Sequence, residues 1–386
     1  MSIAYFLLFS VYAPVNAYLP VLLKSIEFGT ADVGVLLGIF ESAGVILPLF
    51  LSAAVDKKGR YGITMFALGS VMTFSLLPLT HFHSFAVTAF FLCVFALGIR
   101  GLIPISDAFT TKSLGNNTKN YGRIRAVGSA GFVCTALILQ FTPIVNADNI
   151  RSIVYGIGVL GLLYTASLFF VPNIFSLSCS AENSPQPENS PSKKNLIKIF
   201  PSSYWFGLLL ISLGTIGMTP SQKFFSLYMR EYLHLESYAG FWAVSALAEI
   251  PIMFLSGKLI EKFGIEKLLI VSLISISVRN TVYAVFPSWG GVLAAQLLHS
   301  LNFGLFHPVA VLFCMSKTPK EAASLGMTFY SVVSRGLSYM LGSVFGGFVI
   351  EKAGYVPMFF IFGVFPVLGI LFYMLSFKRR AGELHD

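Results

Sequence analysis

The sequence predicts an all-α integral membrane protein with twelve transmembrane helices in two pseudo-symmetric six-helix bundles. Three observations carry that prediction. Of the 386 residues, 55% belong to the hydrophobic set and only 11% are charged, with a mean hydropathy of +0.78. A soluble domain carries about 25% charged residues, so this composition leaves too little polar surface for a water-exposed fold. Stretches of about 20 apolar residues, long enough to cross a bilayer core as a helix, recur twelve times between short polar interruptions. A charged loop pattern also returns at equivalent places in the two halves, which is the mark of an internal repeat.

The spans predicted in the first half are 3–23, 31–54, 61–80, 84–110, 121–142 and 150–171, and in the second 203–229, 238–260, 267–286, 290–315, 322–350 and 355–377. Residues 173–200, NIFSLSCSAENSPQPENSPSKKNLIKIF, are rich in Ser, Pro, Asn and charge and read as a flexible cytoplasmic tether. The expected division is therefore 1–172 for the first bundle, 173–200 for the linker and 201–386 for the second bundle. The first apolar segment begins at Ile3 without a basic leader and runs too long for a signal-peptide core, so it reads as a retained span.

The formal net charge is +9, and the positive-inside rule accounts for it. With a cytoplasmic N-terminus, 17 of the 26 Lys and Arg residues fall on the inner side, 4 on the outer side (Lys24, Arg151, Arg230, Lys352) and 5 within spans. Both termini are then cytoplasmic, and no nucleic-acid partner is needed to explain the basic charge. The short loops and compact length fit a bacterial inner membrane. The four cysteines, Cys93, Cys134, Cys179 and Cys314, are scattered without CxxC or metal-ligand spacing and read as small apolar fillers. No metal or cofactor is expected. The chain has no Walker A sequence, no nucleophile with an adjacent base and no repeated filter, which argues against an ATP-driven pump, a membrane enzyme and a channel.

Eight charges lie inside the spans: Arg100, Arg125, Lys223, Arg279 and Arg335 with Glu41, Asp107 and Glu249. Facing lipid, they would together cost roughly 20 to 28 kcal/mol, more than an ordinary fold's net stability. They are therefore expected to face an interior and to be functional. Helical spacing gathers them into polar seams. These are Arg100, Pro104 and Asp107 on the fourth span; Arg125, Gly128 and Ser129 on the fifth; Trp242, Ser245 and Glu249 on the eighth; Ser272, Ser275 and Arg279 on the ninth; and Ser331, Arg335 and Ser338 on the eleventh. His299 and Asn302 share a face of the tenth span, with His307 displaced around it. Pro104, and Thr219 with Pro220 beside Lys223, mark two places where a helix is expected to loosen.

The repeated loop reads SAAVDKKGR from Ser52 to Arg60 and GKLIEKFGIEK from Gly257 to Lys267. Ser52, Asp56, Lys57 and Gly59 correspond in order to the second copy's Gly257, Glu261, Lys262 and Gly264 in one pattern, small-xxx-acid-basic-x-Gly, and Arg60 follows the first copy. A small residue lets helices approach, and the acid can accept from a neighbouring helix N-terminus or a basic side chain. The pattern resembles the signature of the major facilitator superfamily, G-x-x-x-D-R/K-x-G-R/K, with Ser52 in place of the leading Gly. YGRIRAVGSAGF from Tyr121 to Phe132, preceded by Asp107, resembles the lactose permease and phenylpropionate transporter group. In that group an acid and an Arg eighteen residues apart form a sugar-binding pair, and Asp107 and Arg125 match the spacing. Glu249, Arg279 and His299, the last within LLHSLNFGLFH, resemble further site residues of the group, whereas Asn302 stands where the permease has its proton-exchanging Glu.

The resemblance implies a monomeric secondary transporter in which two bundles alternate access to a site near the bilayer midplane. Proton symport of a small polar organic solute is the expectation, with a sugar or glycoside the first guess and sodium the alternative coupling ion. Arg125 and Arg279 are expected to fork substrate oxygens, assisted by Asp107, Glu249, His299, Lys223 and Arg335. The proton-coupling candidates are Glu249, Asp107, Glu41 and His299. Five interior cations against three acids leave +2, so an organic carboxylate or phosphate ester rivals the neutral sugar. A proton-driven drug efflux antiporter is the third reading, weakened because such sites are usually more apolar with fewer buried cations.

Overall fold

The computed structural model describes residues 1–115, 120–172, 174, 199–319 and 322–382, side chains at 52–54, 56–58 and 376–382 excepted. The expected tether, apart from residues 174, 199 and 200, lies outside the described residues, as do the side chains of Asp56 and Lys57. Twelve helices among the described residues are long and apolar enough to cross a membrane. They are α1 (Ser2–Ser25), α2 (Thr30–Leu51), α3 (Tyr61–Thr80), α4 (Phe85–Leu114), α5 (Tyr121–Phe141), α6 (Ile150–Phe170), α7 (Ser202–Tyr232), α8 (Ala239–Phe263), α9 (Ile265–Val285), α10 (Trp289–Ser316), α11 (Ala323–Ala353) and α12 (Tyr355–Leu375). Each predicted span meets one of these helices to within a few residues. Long apolar runs leave backbone groups no partner outside the helix itself, so composition alone selects the helices.

Local signals set several ends. Ser84 accepts from the Val87 amide at the start of α4, Asn149 from the Arg151 and Ser152 amides at the start of α6, and Ser288 from the Gly291 amide at the start of α10. The helix that contains α2 continues to Lys58 and stops at Gly59, whose φ is +67°. In the second copy α8 stops before Gly264, φ +80°. Both repeat glycines thus take backbone conformations that disfavour a side chain, which explains the Gly in the pattern.

The chain divides into two compact units, Met1–Gln186 with Met229–Ala243, and Pro187–Tyr228 with Val244–Asp386. In the first unit α1 is the inner helix, with 78% of its apolar window buried, and it packs on α5 and α6. The α1–α5 approach is close: a Cβ on Gly131 would lie 2.2 Å from the Phe6 carbonyl oxygen, and one on Gly128 2.9 Å from the Phe9 ring. The second unit is built around Leu208, Ile211 and Met218 of α7, Leu273 and Ile276 of α9, and Phe306, Val309 and Phe313 of α10. On α8 only 11% of the window is buried, and Leu247, Ile250, Met253 and Phe254 point outward. That apolar face suits lipid.

One of the two sequence expectations about helix irregularity changes here. The helix of α4 runs unbroken from Phe85 to Leu114 through Pro104; a long helix embedded among neighbours accommodates one missing hydrogen bond. The irregular segments lie elsewhere. α7 is π-helical over Pro220–Phe224 and Tyr228–Tyr232, α10 over Ser300–Leu305 and α11 over Tyr330–Leu337. Only the first of these was marked by its Pro in the sequence.

Candidate functional site

In the first unit the interior charges pair with each other. Arg100 of α4 reaches Glu41 of α2 at 2.7 Å, with side-chain exposures of 26% and 7%. Its guanidinium also lies over the rings of Tyr12 and Phe40, and Tyr12 is held by donating to the Ile99 carbonyl at 2.9 Å. Gly44 leaves room for the Arg100 stem, since a Cβ there would be 2.7 Å from its Cγ. Seven residues along α4, Asp107 Oδ1 accepts from the Tyr5 hydroxyl at 2.6 Å and from Arg125 Nη1 at 3.4 Å. Arg125 lies over the Tyr5 and Phe9 rings, the position that the small Gly128 on its own face opens. The Asp107–Arg125 pair is partly exposed, 29% and 36%.

The α4 seam thus serves two different pairs. The sequence left the partner of Arg100 open and did not single out Tyr5, Phe9, Tyr12 or Phe40. Aromatic residues are common in membrane helices, and only the α1–α5 and α2–α4 packing distinguishes these four.

In the second unit Arg279 is 1% exposed and its terminal nitrogens are taken. Nη1 meets Ser221 Oγ at 3.2 Å and His299 Nδ1 at 2.9 Å, while Nη2 donates to the Tyr283 hydroxyl at 3.1 Å and to Gln296 Oε1 at 2.5 Å. His299 Nε2 lies 2.8 Å from Glu249 Oε1. Arginine is donor only, so Nδ1 must accept and the imidazole hydrogen sits on Nε2, donating to Glu249. The result is a directional chain, Arg279 to His299 to Glu249. Gln296, three residues before His299 on the same face, and Tyr283, one turn beyond Arg279, were legible as polar positions at helical spacing but were not singled out.

The rings of His299, Phe303 and His307 stack along α10, with centroids 5.6 and 5.8 Å apart and planes within 13° of parallel. The sequence placed His307 around the helix from His299. Eight residues of α-helix overshoot two turns by about 80°, and the wider π turn at Ser300–Leu305 takes up that rotation. His307 Nδ1 lies 3.4 Å from the Tyr330 hydroxyl of α11. Lys223 places its ammonium 5.0 Å from the Tyr339 ring centroid, and Arg335 is exposed in the π segment of α11. Asn302 is 1% exposed, and both its side-chain polar atoms lack a hydrogen-bond partner.

Of the loop pattern, Gly59 is buried and Arg60 exposed. In the second copy Glu261 and Lys262 are exposed, and a Cβ on Gly257 would meet nothing within 4 Å. Close helix approach therefore does not require the leading small residue there. A cavity of about 720 Å³ in the first unit is lined by the α5–α6 junction and residues 230–237, and holds none of the predicted site residues.

The fold is that of the major facilitator transporters. A solved structure of the nucleoside transporter NupG matches with a TM-score of 0.80 at 15% identity, covering 98% of this chain and 98% of that one. The inward-open xylose transporter XylE of E. coli matches with a TM-score of 0.70 at 12% identity, covering 96% and 95%. The model of the MFS_1 like family matches residues 1–362, and the chain belongs to that family. It is a multi-pass membrane transporter and not an enzyme. Among curated relatives, "Probable 3-phenylpropionic acid transporter" of Escherichia coli is 24% identical over 384 residues, covering 98% of this chain and 96% of that one. "Maltose permease" of Geobacillus stearothermophilus is 24% identical over 291 residues, covering 73% and 70%.

Proposed function

We propose that this transporter is a proton-coupled symporter of a small polar organic solute, acting as a monomer in a bacterial inner membrane with both termini cytoplasmic. The observation that carries the reading is the chain from Arg279 through His299 to Glu249. A proton arriving at His299 would have to sit on Nδ1, facing a guanidinium N–H 2.9 Å away, and is repelled. Glu249 has oxygen lone pairs free of that conflict, and its side chain is 17% exposed. It is therefore the proton carrier of this reading. Protonation would weaken its hold on His299 and, through His299, on Arg279, giving the site two states for solute binding to bias.

Asp107 and Arg125 are the solute-contacting pair of the first unit, partly exposed and flanked by rings. Glu41 lies buried against Arg100, which suits an anchored pair better than exchange. The names of the two relatives, one a maltose carrier and one an aromatic-acid carrier, leave neutral and acidic solutes both open. Purified protein in proteoliposomes tests the reading. Uptake should be driven by an imposed pH gradient with sodium removed, and Glu249→Gln should abolish accumulation while sparing counterflow. Accumulation that persists in Glu249→Gln, or that requires sodium and ignores pH, would overturn proton coupling through this residue.

A further inference from the structure

We infer that the solute carries a planar aromatic ring, and that this ring stacks on Phe303 and His307 of α10 in the second unit. The inference rests on the transport reading above and names the substrate class of that site. Three conjugated rings on one helix carry it. His299, Phe303 and His307 follow each other at steps of four residues, with centroids 5.6 and 5.8 Å apart and planes 9° and 13° from parallel. Offset parallel rings at about 4.5–7 Å are a favourable aromatic geometry. An α-helix would not hold them so, because each step of four residues turns about 40° past a full turn and two steps would fan the outer rings about 80° apart. The π-helical segment Ser300–Leu305 takes up that rotation. Such a segment costs hydrogen-bond geometry and is frequent at functional sites.

The ring stripe does not face lipid. The outward apolar residues of α10 include Leu297 and Leu312, 54% and 44% exposed. Leu297 stands two residues before His299 and Leu312 five after His307, about 160° and 140° around the helix from those rings. Two imidazoles turned toward hydrocarbon would also be unfavourable, and His299 is instead tied to Arg279 and Glu249. His299 is buried, whereas Phe303 and His307 are only partly buried. The stack is therefore closed at its His299 end and accessible at Phe303 and His307, away from the lipid-facing leucines.

A planar ring laid on Phe303 and His307 extends the existing stack, gaining ring contact as well as burial of apolar surface. The polar atoms at this step already face each other, since His307 Nδ1 lies 3.4 Å from the Tyr330 hydroxyl. A saturated ring bearing hydroxyls around its rim would press several of them against the Phe303 face without partners, which is unfavourable for each one buried. A flat ring with its polar substituent at one end avoids this: the ring covers Phe303 and His307, and the substituent projects beyond them.

The test is thermal stabilisation of the detergent-purified full chain by two matched probe pairs, benzoate against cyclohexanecarboxylate and phenyl β-glucoside against cyclohexyl β-glucoside. Within each pair the charge and the hydroxyls are the same, so the ratio of half-saturating concentrations reads the ring alone. In the pair whose polar group the site accepts, the aromatic member should half-saturate at a concentration about twofold to tenfold lower. Phe303→Leu, which keeps an apolar side chain without a π face, should bring that ratio close to one. Phe303→Tyr, which keeps the face, should preserve the ratio and guards against a folding artefact. The inference is overturned if no aromatic member stabilises the protein, if the two members of each pair act at equal concentrations, or if the ratio survives Phe303→Leu unchanged. Uptake driven by a pH gradient in proteoliposomes with a ratio near one would leave proton symport standing and remove the ring platform; an aromatic preference without pH-driven accumulation would do the reverse.

Discussion

Arg100→Met isolates the ion pair that joins α4 to α2 in the first unit. At 2.7 Å two unit charges attract by about 6 kcal/mol at an effective dielectric of about 20, and desolvation offsets much of this. What survives on losing one partner is the cost of a lone buried charge, about 3–5 kcal/mol. Arg100 is a quarter exposed while Glu41 is 7% exposed, so the lower end, about 3 kcal/mol, applies. At about 2 °C per kcal/mol for a long chain, Tm should fall by about 6 °C, read by tryptophan fluorescence in detergent. Glu41→Gln combined with Arg100→Met removes the lone charge and should recover most of the loss, leaving the stacking on Tyr12 and Phe40 unreplaced at about 0.5–1 kcal/mol each. If the single variant melts within about 1 °C of the parent, or the double variant is no more stable than the single one, the anchored-pair argument fails.

Gly131→Leu should prevent assembly of the first unit, because its Cβ would sit 2.2 Å from the Phe6 carbonyl; Gly122→Ala, whose Cβ meets nothing within 4 Å, should purify as the parent does, as read by yield and size-exclusion profile. Gln296→Leu strips one acceptor from the buried Arg279 and should lower stability by about 1–3 kcal/mol, with an unchanged melting curve as the contrary result. Residues 229–243 are tied to the first unit by Arg230 on Asp148 and the Ala147 carbonyl, and by Ser237 and Gly240 on Gln140. Gln140→Ala should therefore speed maleimide labelling of a cysteine placed at Glu236, and an unaltered rate would show that the segment is held by other contacts.

The twelve helices were legible because bilayer thickness sets span length and apolar composition excludes every backbone arrangement but a helix. The eight interior charges were legible for the same reason, since a charge within an apolar run stands out against its surroundings. Asp107 with Arg125, and Glu249 with Arg279 and His299, were singled out together by the resemblance to the lactose permease group.

Pairing, access and helix irregularity were decided only by tertiary structure. Nothing in the chain tells Arg100 to seek Glu41 across α2 instead of Asp107 on its own face; the Gly44 gap and the rings of Tyr12 and Phe40 decide it. Arg279 and Arg335 look alike in sequence, yet one is sealed by four partners contributed from three helices and the other is open. His307 enters the stack with His299 only because α10 takes a π turn. Membrane spans are fixed by a one-dimensional property, the run of apolar residues, whereas partners and exposure depend on which faces of separate helices meet.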